Sequence, residues 1–139
     1  MKRTTIILGL ILLTCSNKPG PKDIVFDFID AVKSSDSLRV ERDLDINRYI
    51  KSIMSEMSSE DSAKVLSDYR IKTILSLLGD GDVRRRWMRD LIVVNKEEKQ
   101  DTLAEVEVSF IDQSAGHQLY TKMQLYRLPD GSWRISYFR

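Results

Sequence analysis

The apolar residues of this chain change their spacing at Leu91, and that change dictates the architecture. Before it they recur at helical intervals. Ile24, Val25, Phe28, Ile29 and Val32 fall on one face of a helix that ends near Ser34-Ser35-Asp36. Asp36 is placed to cap a short second helix carrying Leu38, Val40 and Leu44. Ile46, Tyr49, Ile50, Ile53, Met54 and Met57 continue a helical stripe. Ser58-Ser59-Glu60-Asp61 offers a fresh helix start, with serine oxygens for unpaired N–H groups and acids in the first turn. The helix after it carries Val65, Leu66, Tyr69, Ile74, Leu77 and Leu78 until Gly79-Asp80-Gly81-Asp82 stops it. Residues 83–90 add a last turn or two with Trp87 on one side.

From Leu91 onward the period is two. Residues 91–95 read as a short strand and 96–101 as a charged turn. Ala104, Val106, Val108 and Phe110 alternate with Glu105, Glu107 and Ser109, which is the pattern of a strand with one buried face. After a loop at 112–116, Leu119, Met123 and Leu125 alternate with Gln118, Lys122 and Gln124. A tight turn pivots on Asp130-Gly131, and Trp133, Ile135 and Tyr137 alternate in the last strand. Helices first and hairpin-connected strands afterwards predict an α+β fold. Its N-terminal helices pack on a curved antiparallel sheet of about four strands. Phe28 and Trp133 are expected in one core.

The N-terminal segment carries a separate signal. Lys2 and Arg3 precede an apolar run over residues 4–13, and Cys15, the single cysteine, follows it. Ten residues at about 1.5 Å each reach about half of a bilayer core. The run is therefore too short to span and suits the apolar region of a signal peptide. Leu12-Leu13-Thr14-Cys15 resembles the lipobox of bacterial lipoproteins, with Thr14 where that family has Gly, Ala or Ser. The resemblance implies a diacylglycerol on the Cys15 sulfur and cleavage before it. Two or three acyl chains hold a protein stably where one is marginal. The expected organisation is a signal peptide at 1–14, a lipidated tether at 15–22 containing Pro19, Gly20 and Pro21, and a single domain at 23–139. With Cys15 modified, no thiol is left for a disulfide, so the domain is held by its core alone.

The chain has 22 Lys and Arg against 21 Asp and Glu, and without Lys2 and Arg3 the balance is 20 against 21. Such a chain has no basic excess with which to displace counterions, so nucleic acid is not among the expected partners.

The segment PKDIVFDFIDAVKSSD, the further helices and the closing DGSWRISYF resemble the nuclear-transport-factor-2-like superfamily over Pro21 to Arg139. More narrowly, they resemble its small bacterial lipoproteins. The resemblance implies a sheet bent around a long helix into a cone with an apolar pocket. Some members are enzymes, including ketosteroid isomerases, scytalone dehydratases and polyketide cyclases. Many others only bind. The strongly helical first half departs from the pattern, and fold alone does not assign function.

The candidates for chemistry are few. His117 is the single histidine and stands after Gly116 at a strand start. Asp80-Gly81-Asp82 lacks the later ligands of a calcium loop, having Arg84 and Leu91 where acids are needed, and reads as a helix stop. Asp27 and Asp30 fall on the polar side of the first helix. Glu105 and Glu107 lie opposite a buried strand face. No acid–base pair is therefore placed for catalysis, and the residues imply no cofactor or metal. Arg84, Arg85, Arg86 and Arg89, with Trp87, form a basic cluster. It is read either as contact with anionic lipid headgroups or as the solvated face of a short helix. Phe28, Tyr69, Met123 and Tyr137 are the expected lining of a ligand pocket, or else core. Tyr120, Tyr126 and Phe138 lie off the core stripe and are candidates for a dimer surface.

The resulting expectation is a membrane-anchored envelope lipoprotein with a non-catalytic binding or interaction domain. The alternatives are an isomerase- or dehydratase-like enzyme and a structural homodimer. Expected partners are the membrane through Cys15 and an apolar small molecule or an envelope protein. The resemblance to lipoproteins with no aspartate after the cysteine, where this chain has Ser16, implies the outer membrane, facing the periplasm, in a cell with two membranes.

Overall fold

The computed structural model describes residues 17–57 and 63–139. The signal segment, Cys15, Ser16 and the helix start at Ser58-Ser59-Glu60-Asp61 lie outside the described residues. Among the described residues five helices precede four strands: α1 (Pro21–Ser34), α2 (Ser37–Asp43), α3 (Ile46–Met57), α4 (Ala63–Leu77), α5 (Asp82–Arg89), β1 (Leu91–Gln100), β2 (Leu103–Asp112), β3 (His117–Arg127) and β4 (Trp133–Tyr137). The strands form one antiparallel sheet in the order β1-β2-β3-β4. The fold is therefore α+β, with helices packed against one face of a meander.

Local chemistry sets the limits of α1. Pro21 takes the first helical turn, where its missing N–H removes no bond. Asp23 reaches back to accept from the Gly20 N–H at 2.8 Å, and Glu97 on β1 accepts from the Lys22 N–H at 2.9 Å. Two carboxylates thus meet the positive end of the helix. At the other end Ser35 adopts a left-handed conformation (φ 57°). The N–H groups of Ser35 and Asp36 bond back to the carbonyls of Val32 and Ala31. The same turn presents the Ser35 hydroxyl oxygen to the Gly79 N–H at 2.8 Å, joining the ends of α1 and α4. Asp36 caps α2 by accepting from the Arg39 N–H, as the sequence implies.

The core lies between α1 and the inner face of the sheet. Ala104, Val106, Val108 and Phe110 of β2 are all buried, facing Leu125, Met123, Thr121 and Leu119 of β3 in turn. Phe28 and Trp133 both belong to this core, as expected. Each large apolar side chain that it encloses stabilises the fold by about 1.5–3 kcal/mol.

Several expectations need correction. Residues 96–100 are not a turn: β1 continues to Gln100 and the reversal takes only Asp101-Thr102. β1 is an edge strand, so its charged side chains stay in solvent while its backbone pairs with β2. A bulge after Val94 sets Asn95 and Lys96 against Glu107, which turns Glu97 to the helix side, where it caps α1. A second bulge at Ser136 on β4 shifts the alternation again. Phe138 is consequently buried, not off the core stripe, and Tyr137 is half-exposed. Leu38 is 81% exposed on the outside of α2, and Leu119 is 60% exposed where β3 runs past the core. Two acids that no apolar stripe marks, Asp43 and Asp90, are buried.

The two sheet edges differ. Leu44 bridges Ile135, and the Asp45 N–H donates to the Ile135 carbonyl at 2.8 Å, so the connection from α2 to α3 covers part of β4. Among the described residues no strand lies beside the outer edge of β1. Among the described residues no helix is long and apolar enough to cross a membrane.

Candidate functional site

Of the clefts among the described residues, two stand at opposite ends of the sheet. The first holds about 830 Å³ beside the point where the chain enters the domain. Pro19, Asp23, Ile24 and Asp27 line it from the N-terminal side, Glu41, Arg42 and Asp43 from α2, and Leu128, Ser132, Trp133 and Arg134 from the strand end. Its charges largely pair with one another. Arg42 grips the buried Asp43 with two bonds of 2.7 and 3.0 Å and also pairs with Asp27. Arg39 pairs with Asp27 and, at 2.9 Å, with Asp30. The bond to Asp43, set against some burial, raises the Arg42 pKa above its ordinary value. Arg134 donates to the carbonyls of Glu41 and Leu44. The network ties α1, α2 and β4 together, and its best-buried acid faces a fixed cation.

The second cleft, about 280 Å³, opens at the other end of the sheet. Its floor is aromatic. Phe138 stacks on Tyr49 at 4.8 Å between ring centroids, Trp87 meets Phe110 at 5.3 Å, and Trp87 meets Phe138 at 5.9 Å. Leu119, Tyr120, Arg86 and Arg139 form the rim. Burial, with the neighbouring Tyr137 phenol adding to it, pushes the Tyr49 hydroxyl up to about 12. It is therefore neutral through the physiological range.

The structure separates the four arginines expected to act as one cluster. Arg84 turns inward and donates to the Lys33 carbonyl at 3.1 and 2.8 Å and to the Gly79 carbonyl at 2.8 Å, clamping the C-terminal ends of α1 and α4. Arg89 is 3.8 Å from Asp90 and its charge also reaches Asp112. Arg85 and Arg86 are exposed and, among the described residues, have no acid within 4 Å.

The four residues expected to line a pocket do not meet around one cleft. Phe28 and Met123 are wholly buried in the core. Tyr137 donates to Glu56 at 2.9 Å, and Tyr69 lies half-buried on α4 with Lys72 5.7 Å from its ring centroid. Of the three expected dimer residues, Tyr120 is 65% exposed. Tyr126 carries Arg48 over its ring at 3.7 Å and donates to Asp45 at 2.6 Å, and Phe138 belongs to the core. His117 is exposed at the sheet end, opposite Asp112. Among the described residues no three His, Cys, Asp or Glu side chains are grouped to hold a metal ion. Arg86 was legible as part of a basic run. Arg139, Leu119 and the aromatic floor come together only through tertiary packing and left no local signal.

No family profile, curated protein or solved structure matches the chain.

Proposed function

We propose that this chain is a lipid-anchored, non-enzymatic binding domain of a bacterial cell envelope. The observation that carries the reading is the filled interior. Phe28 on α1 and Met123 on the sheet both lie in the core with no exposed surface, where an enzyme of the cone-shaped kind would keep an open pocket with an acid or base inside it. Recognition then falls to the surface. The finer family reading, a nuclear-transport-factor-2-like domain with a closed cone, is supported by α1 packing against the inner face of a C-terminal meander.

The anchor is read from Cys15 at the end of its apolar run, and it is tested directly. Mass spectrometry of protein extracted from membranes should find acyl chains on Cys15, and Cys15→Ser should release the protein or leave the precursor uncleaved. An unmodified Cys15 in membrane-bound protein would overturn the anchor. Native mass spectrometry tests the filled interior, since a small molecule retained by the extracted protein and lost in Met123→Trp would reopen the pocket reading.

A second reading, a homodimer through the outer sheet face, is favoured by one observation. Leu91, Val93, Ile111 and Tyr120 lie on that face as cross-strand neighbours, and all but Ile111 are exposed. Light scattering at micromolar concentration decides it, with Val93→Lys as the dissociating variant.

A further inference from the structure

The aromatic cleft at the α5 end has an unusual electrical setting. Its rim arginine Arg86 has no acid within 4 Å among the described residues, and Arg139 reaches Glu56 only at 3.9 Å with most of its side chain in water. In the other cleft Arg42 is matched by Asp27 and Asp43, and Arg134 is spent on the carbonyls of Glu41 and Leu44. Positive charge only partly compensated around an apolar floor is an arrangement that gains from an incoming carboxylate. Aromatic and arginine side chains are also those that most often dominate binding energy at protein interfaces.

The size of the cleft narrows the occupant. At about 280 Å³ it falls just under the roughly 300 Å³ at which pockets for drug-sized ligands begin. It takes one large side chain and not a lipid tail. The floor is already rigid, because Trp87 and Phe138 pack on each other and both touch Phe28 in the core. A docking residue therefore meets a preformed surface, and little ordering cost opposes binding.

Its position is the far end of the sheet from the point where the chain enters the domain. Lys18 rests on the turn between β3 and β4, bonded to the Asp130 carbonyl, so the chain enters at the Leu103–Tyr126 end of the sheet. The cleft stands at the Phe110–Leu119 end, seven residues further along β2. At about 3.4 Å per residue this is roughly 24 Å, about three Debye lengths at physiological salt. A domain standing upright on its tether would hold these arginines that far from the entry point, which favours a protein partner over the membrane of its own anchor.

We propose that this cleft is the docking site for an acidic segment of a partner protein, which seats one bulky apolar side chain on the Trp87–Phe138 floor while flanking carboxylates pair with Arg86 and Arg139. The proposal rests on reading the domain as a binding module and specifies the chemistry of its partner.

The test uses the full-length protein in nanodiscs of zwitterionic phosphatidylcholine. Three acetylated pentapeptides serve as probes: a tryptophan flanked by two glutamates on each side, the same peptide with a central alanine, and a tryptophan flanked by lysines. The acidic tryptophan peptide should bind best, with amide shifts confined to Trp87, Leu119, Tyr120 and Arg139. Arg86→Glu and Leu119→Ser should each weaken it by about tenfold or more, as expected for residues at the centre of an interface. The shift map needs no variant, so it decides the matter even if a substitution disturbs folding. Equal binding of the three peptides, or shifts elsewhere, overturns the proposal. Arg86-dependent binding to phosphatidylglycerol vesicles without acidic-peptide binding overturns it in favour of a membrane surface. Neither result touches the Cys15 anchor or the filled interior, which are measured separately.

Discussion

Replacing Phe138 with alanine tests the register of the last strand. Simple alternation along β4 would bury Tyr137, yet the bulge at Ser136 buries Phe138 and leaves Tyr137 at the surface. Phe138 is 7% exposed and lies within 6 Å, between ring centroids, of Phe28, Tyr49 and Trp87. Phenylalanine-to-alanine changes in a core cost about 3–5 kcal/mol, and aromatic pairs add about 0.5–1.5 kcal/mol each beyond the area they bury. The ring borders an open cleft, so water and neighbouring side chains relax into part of the space. This places the expected loss near the lower bound, about 3 kcal/mol. Tyr137→Ala removes a half-exposed ring and one surface hydrogen bond to Glu56, which is worth about 1–1.5 kcal/mol. With a urea slope of about 1–2 kcal/mol per molar, Phe138→Ala should lower the unfolding midpoint by about 1.5–3 M, and Tyr137→Ala by less than half of that. Both variants are measured by urea titration followed through tryptophan fluorescence. A larger loss for Tyr137→Ala than for Phe138→Ala would falsify the bulge and the aromatic floor built on it.

Three further outcomes are expected. A Cβ at Gly81 would lie 2.2 Å from the Leu75 carbonyl oxygen, so Gly81→Ala must push the end of α4 away at a cost of about 1–3 kcal/mol or more; Gly79 has open space and a φ of +57°, so Gly79→Ala costs only about 1–2 kcal/mol, and thermal melts rank the two. Burial pushes the Asp45 carboxyl up, but the Tyr126 hydroxyl, the Arg48 N–H and the charges of Arg134 and Arg48 outweigh it and hold the pKa below its ordinary value. The stability that Asp45 contributes is therefore fully present above about pH 4 and is lost as pH falls through the lowered value, and Asp45→Asn should flatten this acid limb in urea titrations between pH 2 and 5. Tyr49 has its pKa raised by burial to about 12, so its contribution is complete below about pH 10 and is lost as pH rises towards 12; ultraviolet titration should show late-ionising phenols, Tyr126 and Tyr137 being raised as well, and Tyr49→Phe should remove one of them.

The sequence carries the elements whose signals are local. Pro21 and Asp23 mark the start of α1, Asp36 caps α2, Gly79 ends the α4 region, and the alternation of Ala104, Val106, Val108 and Phe110 identifies β2 and its buried face. What it hides depends on partners far along the chain. The Lys96–Gln100 half of β1 looks like a turn by composition, because charged residues are tolerated in a strand when one edge faces water. The bulges at Asn95-Lys96 and Ser136 are insertions of one residue against a neighbouring strand, so neither is visible until the strands are paired. Asp43 is buried although no apolar stripe includes it, because Arg42 beside it and the Asp27–Arg39 pair supply its electrostatic setting. Of the candidate site, the Arg86 run could be read directly. Arg139 is 53 positions away from it and meets the same cleft only in the folded chain.

The unequal edges of the sheet set a limit on assembly. A strand from another molecule can pair with β1, where no neighbour stands, while the Leu44 bridge and the Asp45 N–H occupy the middle of β4. Growth of a continuous sheet from molecule to molecule requires two open edges on each one. With β1 the more open edge among the described residues, strand addition there joins two copies into one sheet of eight strands. Association by this route favours pairs.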